Sequence, residues 1–177
     1  MAVREVIKMG HPTLRKVAEP VSLDEIKSPE FKKLIEDMYD TMEEQEGIGI
    51  AAPQVNVSKQ VAIVGMINDD DEIETLVVIN PKITPLTEDK SGNWEGCLSV
   101  PGLRGYVERP SHIKVEYIDL EGKTQTVEYN DFSAIVFQHE CDHLEGKLYV
   151  DRITDMTKLA YLEEFSEFIE PTEESDS

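Results

Sequence analysis

The sequence predicts an α+β fold: largely antiparallel β-sheets around one central helix, with a second helix in the N-terminal half and a third near the C-terminus. Three observations predict it. Val- and Ile-rich segments at 60–66, 75–83, 113–119 and 124–129 read as strands, and Glu121-Gly122 reads as a hairpin turn between the last two. Apolar residues at helical spacing run from Phe31 through Leu34, Ile35, Met38 and Met42, and again from Leu159 through Leu162, Phe165 and Phe168. Between these lies Gln138-His139-Glu140-Cys141-Asp142-His143, which carries an HExxH pattern.

The elements follow in order. Residues 1 to 27 read as irregular apart from a short helical turn after His11-Pro12, and His11 is expected to be structural or exposed. Ser28-Pro29-Glu30 signals a helix start, because Ser caps, Pro suits the first helical position and acids favour the first turn. That helix is expected to reach about Glu46, where two glycines in Gly47-Ile48-Gly49 end it. The Gly-x-Gly lacks the third glycine of a dinucleotide loop and follows no strand, so it argues against a nucleotide site. The acidic stretch Asn68 to Glu72 reads as a solvated hairpin tip, lacking the ligand spacing of a calcium loop. Trp94 to Gly102 follows a loop, and His112 is expected at a strand edge. Asp131 is placed to cap the HExxH helix and Gly146 to end it. Leu148-Tyr149-Val150 reads as a short strand, and an acidic tail from about 170 to 177 as frayed.

At 177 residues with 40% hydrophobic content, the chain fits one domain with a sizeable core, spanning 1–177. No apolar run long enough for a membrane helix occurs and no basic-then-apolar leader is seen, which leads us to expect a cytoplasmic protein. Seventeen Lys and Arg against 37 Asp and Glu give a formal charge of -20, which argues against direct binding to nucleic acid or anionic lipid. Two cysteines, Cys97 and Cys141, are expected as reduced thiols.

On a helix, His139 and His143 lie one above the other and can bind a single metal ion, while Glu140 is placed to take a proton from a water on that ion. Ile135 shares their face. A third protein ligand is then required. The extended HExxHxxGxxH pattern fails at Tyr149, and a thermolysin-like peptidase would use Glu163, which sits in an acid-rich helix without the neighbouring Asn of that pattern. Cys97, beside Gly96 on a tight loop, is the better candidate. Cys141 points about 200° around the helix from His139 and reads as a core thiol.

Three stretches, 47–54 (GIGIAAPQ), 95–99 (EGCLS) and 138–143 (QHECDH), resemble in order and spacing the signature motifs of peptide deformylases, and the resemblance covers roughly residues 3 to 155. It implies an enzyme that removes the N-formyl group from the N-terminal formyl-methionine of new polypeptides, releasing formate. It also implies that Cys97, His139 and His143 hold a divalent ion, usually Fe2+, with Zn2+, Ni2+ or Co2+ suiting the same donors. Glu140 is the implied base, and Gln54 with the backbone N–H of Leu98 the implied oxyanion donors. Substrate is implied to lie extended beside Ile48, Gly49 and Gly96. Ile48, Phe132, Ile135 and Val136 are candidates for the methionine pocket, and Arg104 and Tyr106 for the outer groove. The segment from Asp155 to Ser177, with eight acids and one Lys, is poorly suited to ribosome docking. Two other readings are a peptidase using Glu163 and a non-catalytic metal-binding domain; the latter would need neither Glu140 nor Gln54.

Overall fold

Two antiparallel sheets meet at one buried helix. The computed structural model describes residues 2–68 and 72–170. The larger sheet contains β1 (Gly49–Ala51), β2 (Val61–Ile67), β3 (Ile73–Pro85), β6 (His112–Ile118) and β7 (Thr124–Asn130), in the order β1-β2-β3-β6-β7. The smaller contains β4 (Lys90–Cys97), β5 (Val100–Pro110) and β8 (Leu159–Tyr161), in the order β4-β5-β8. Every pairing within these sheets is antiparallel, so the α+β expectation holds.

Helices α1 (Leu23–Lys27), α2 (Pro29–Glu44), α3 (Asp131–Leu144) and α4 (Leu162–Phe168) complete the fold. The expected start of α2 is correct: Ser28 Oγ accepts from the Phe31 N–H at 3.1 Å, with Pro29 at the first position. Its stripe of Phe31, Leu34, Ile35, Met38 and Met42 is buried against Ile50, Ile63 and Ile79. Helix α3 packs on β1 and β2 and also touches β5, β6 and β7, which places the HExxH residues between the two sheets. Its apolar side, with Ala134, Val136, Phe137 and Leu144, is buried with Val64, Val78, Ile113 and Val115.

Several expectations are corrected. Asp131 does not cap α3: it is the first helical residue, at φ 49°, and Asn130 holds the cap position without a side-chain bond. Gly146 does end the helix, at φ 72°, and a Cβ there would strike the Arg15 backbone. Leu148-Tyr149-Val150 is not a strand. The Asp151 carboxylate accepts from the Leu148 N–H at 2.9 Å and rolls Tyr149–Arg152 into a 3-10 turn, burying Leu148 and Tyr149.

The terminal helix begins only at Leu162, because Leu159–Tyr161 first pairs with the otherwise open edge of β5 at Leu103–Gly105. Helix α1, closed by a Ser22/Glu25 capping box, lies within the stretch read as irregular; five residues with one buried anchor, Ile26, show no period. Strand β4 replaces the loop expected before Trp94. Asp69 to Asp71 and the acidic tail from Pro171 lie outside the described residues. Among the described residues, no helix is long and apolar enough to cross a membrane.

Candidate active site

Strand β4 and helix α3 bring the reactive side chains together. Cys97 ends β4, where the register with β5 shifts between Glu95 and Cys97, so the thiol is turned toward α3. The ligand atoms of Cys97, His139 and His143 all lie within 4.8 Å of one another, and Cys97 Sγ is 3.4 Å from His143 Nε2. Among the described residues this is the one cluster of three or more His, Cys, Asp or Glu able to hold a metal ion. Burial alone would push the Cys97 thiol up, but His143 and His139 beside it outweigh burial and hold it well below the ordinary thiol range. A thiolate and two imidazoles form a soft donor set that fits a transition metal.

The histidines are oriented from behind. His139 Nδ1 lies 2.7 Å from Glu95 Oε1, which leaves Nε2 free to face Cys97. Glu95 is gripped in turn by Arg109, whose Nε and Nη2 donate to its two oxygens at 2.8 and 3.0 Å. Arg109 Nη1 donates at 2.9 Å to Asp142, which also receives Nη2 of Arg152 at 2.6 Å. Burial would raise the Glu95 and Asp142 carboxyls; the facing His139 and Arg109, and Arg152 and Arg109, hold them below the usual carboxylate range instead. Arg109, itself buried, is kept charged by the same contacts.

Glu140 is buried, its Oε2 has no protein partner, and burial raises its carboxyl above the ordinary value. Gly49 on β1 lies against it, so close that a Cβ there would come 2.5 Å from Glu140 Oε1. Gln54, also buried, sits in a 3-10 turn after β1; its Oε1 accepts from the Ala51 N–H at 2.8 Å, which aims Nε2 at Cys97 Sγ (3.5 Å) and Ser99 Oγ (3.3 Å). Two N-terminal bonds brace these loops: the N–H of Ile7 donates to Gln54 O at 2.9 Å and that of Met9 to Ser99 O at 2.8 Å.

A cavity of about 580 Å3 opens onto this group. Ile48, Gly49, Gly96, Leu98, Phe132, Ile135, Val136 and Arg104 all line it. Tyr106 does not; its ring packs edge-on to Trp94 with centroids 5.8 Å apart. Glu163 is exposed on α4 and takes no part in the ligand cluster, so the thermolysin-like alternative is not supported. Cys141 is a free thiol on the far side of α3, lining a different cavity, and burial raises its pKa. His11 accepts from the Thr13 N–H, and His112 faces Glu128 at the surface; both fall outside the site. Sequence reasoning missed Glu95, Arg109 and Asp142 as a unit. Glu95, inside the EGCLS stretch, and Asp142, inside QHECDH, carried a signal, whereas Arg109 carried none.

An HExxH helix meeting a cysteine-bearing strand, with a buried carboxyl beside three side chains that could hold a metal ion, has the make-up of a metal-dependent hydrolase. A model of the polypeptide deformylase family matches residues 3–159. A peptide deformylase of Leptospira biflexa is 46% identical over 170 residues, covering 93% of this chain and 95% of its own length. Peptide deformylase 1 of Bordetella pertussis is 43% identical over 166 residues, covering 91% and 93%. The crystal structure of an Acinetobacter baumannii class I type b peptide deformylase, bound to Met-Ala-Ser, superposes with a TM-score of 0.80 at 41% identity, covering 86% of this chain and 99% of that one. The chain belongs to the polypeptide deformylase family, hydrolases that remove the formyl group from an N-terminal methionine.

Proposed function

We propose that Cys97, His139 and His143 hold one divalent ion, Fe2+ in the cell, and that the chain works as a single cytoplasmic domain on nascent formyl-methionyl polypeptides. The observation that carries this reading is the convergence of those three ligand atoms within 4.8 Å beside the buried Glu140 carboxyl. An ion so held supplies Lewis acidity and makes water acidic enough to ionise near neutral pH. The rest is the work of side chains.

Glu140 takes a proton from the attacking water as the water oxygen adds to the formyl carbon. Glu140 then holds that proton until the C–N bond breaks and the amine nitrogen accepts it. Gln54 Nε2, fixed through its own carbonyl, and the Leu98 N–H stabilise the oxyanion. The chain extends beside Ile48, Gly49 and Gly96 as an added strand, a mode that reads backbone rather than sequence. The methionine side chain enters the pocket of Ile48, Phe132, Ile135 and Val136, and the Met-Ala-Ser bound by the Acinetobacter relative fits that polarity. Arg104, whose guanidinium lies over Gly96, faces the residues that follow. The acidic surface of α4, with Glu163, Glu164 and Glu167 exposed, disfavours docking to ribosomal RNA through that helix.

The test is formate release from a formyl-Met peptide by anaerobically prepared protein, beside Glu140→Ala carrying the same measured metal load. Turnover in the first and none in the second is expected. Absence of turnover from fully metal-loaded wild type would reject the assignment.

A further inference from the structure

The C-terminal segment is built into the wall of the catalytic cleft. Leu159–Tyr161 extends the smaller sheet along β5, with Leu103 facing Tyr161 and Gly105 facing Leu159. Helix α4 then lies against β5 and reaches Trp94 of β4, where Phe165 packs at 5.1 Å between ring centroids. Trp94 meets Tyr106, and Lys158 Nζ sits 4.3 Å over the Tyr106 ring. The segment is thus fastened on both sides of Leu162, which leaves that residue little freedom to swing away.

Leu162 lines the same cavity as Cys97, His139 and Glu140, together with Trp94 and Arg104. It is 38% exposed, an apolar side chain held at a cleft edge rather than in the core. The family model matches up to residue 159, three residues before Leu162. Its neighbours on α4 are the exposed acids Glu163, Glu164 and Glu167.

We infer that Leu162 is a specificity-determining residue, selecting apolar over acidic side chains in the two positions that follow formyl-methionine. The inference rests on the deformylase reading of the cleft. In an extended peptide, side chains alternate between faces, so once the methionine is seated the next residues project in turn toward the cleft edges. An apolar side chain there loses water against Leu162 and the Trp94 ring. A carboxylate against Leu162 would be desolvated, and the acids of α4 oppose the attraction it would gain from Arg104 and Lys8 elsewhere in the lining.

The experiment measures kcat and KM for metal-loaded wild type, Leu162→Ala and Leu162→Asp on four peptides: formyl-Met-Leu-Ser, formyl-Met-Asp-Ser, formyl-Met-Ala-Leu and formyl-Met-Ala-Asp. Wild type is expected to favour the Leu peptide over its Asp counterpart in at least one pair, by about tenfold in kcat/KM. Leu162→Ala should cut that ratio about threefold or more and Leu162→Asp further, through KM of the Leu peptides rather than kcat. Trp94 is the chain's single tryptophan, so its emission shows whether α4 stays docked in each variant. Phe165→Ala, which loosens α4 itself, should lower the same ratio and shift that emission. Unchanged ratios in both Leu162 variants with unaltered Trp94 emission would overturn the inference. A wild type that releases formate from none of the four peptides would overturn the deformylase reading instead.

Discussion

His139 Nδ1 and Glu95 Oε1 are 2.7 Å apart, and this contact joins a ring of the proposed metal site to a charged chain running through Arg109 and Asp142 to Arg152. The ring is held by a carboxylate that Arg109 fixes with two bonds, so its free nitrogen is aimed before any ion arrives. Glu95→Gln keeps the size of the side chain but weakens both contacts. Metal affinity, measured by competition with a chelator, is expected to fall about 10- to 100-fold. An unchanged affinity would show that packing alone orients His139.

Gln54 is fixed by the Ala51 N–H and points its amide nitrogen at Cys97. Gln54→Ala is expected to lower kcat by about 10^2- to 10^3-fold with metal content unchanged. Full turnover in that variant would remove Gln54 from the oxyanion site.

Gly49 gives a sharper steric test. A methyl group there would meet Glu140 Oε1, Cδ and Cγ at 2.5 to 2.8 Å. Gly49→Ala should therefore displace the carboxyl and reduce kcat, while bound metal and far-UV circular dichroism stay as in wild type. Wild-type kcat would mean that Glu140 can work from a shifted position.

Asp37 links charge to stability away from the site. It is buried on α2, with Lys33 Nζ at 3.0 Å and Arg4 Nη2 at 2.9 Å. Burial would raise its carboxyl, but Lys33 and Arg4 outweigh that and lower it below 3.8. A depressed folded pKa means the contribution is complete above the unfolded value and is lost as pH falls through the folded one. Because Arg4 and Lys33 are partly exposed, Asp37→Asn should cost only about 1–2 kcal/mol at pH 7. Urea denaturation should show that gap narrowing from pH 7 to pH 3; a constant gap would deny the linkage.

Much of this fold is legible residue by residue, and the exceptions share a cause. Strands β2, β3, β6 and β7 are rich in Val, Ile, Thr and Tyr and answer to a short-range pattern. Strand β4 begins Lys-Ser-Gly-Asn, a poor strand former, and exists because β5 pairs with it along its length. Strand β8 likewise depends on an edge of β5 far away in sequence. The same division runs through the site. His139, Glu140 and His143 follow from helical spacing alone, whereas Arg109 reaches Glu95 across 14 residues and Asp142 across 33, distances over which sequence carries no period. Asp131 has the composition of a cap but lies one residue inside the helix, where only backbone angles distinguish the two.

The bracing of the two motif loops by Ile7 and Met9 has a meaning in the order of synthesis. Ribosomes release this early segment first, yet its partners Gln54 and Ser99 emerge later, and the neighbouring Ala18 waits for Leu144 near the far end of the chain. These closures are non-local, and such contacts form late in folding. The segment from Ile7 to Ala18 therefore stays unburied until the chain has been made as far as Leu144, so the two motif loops gain their brace only once the HExxH helix is complete.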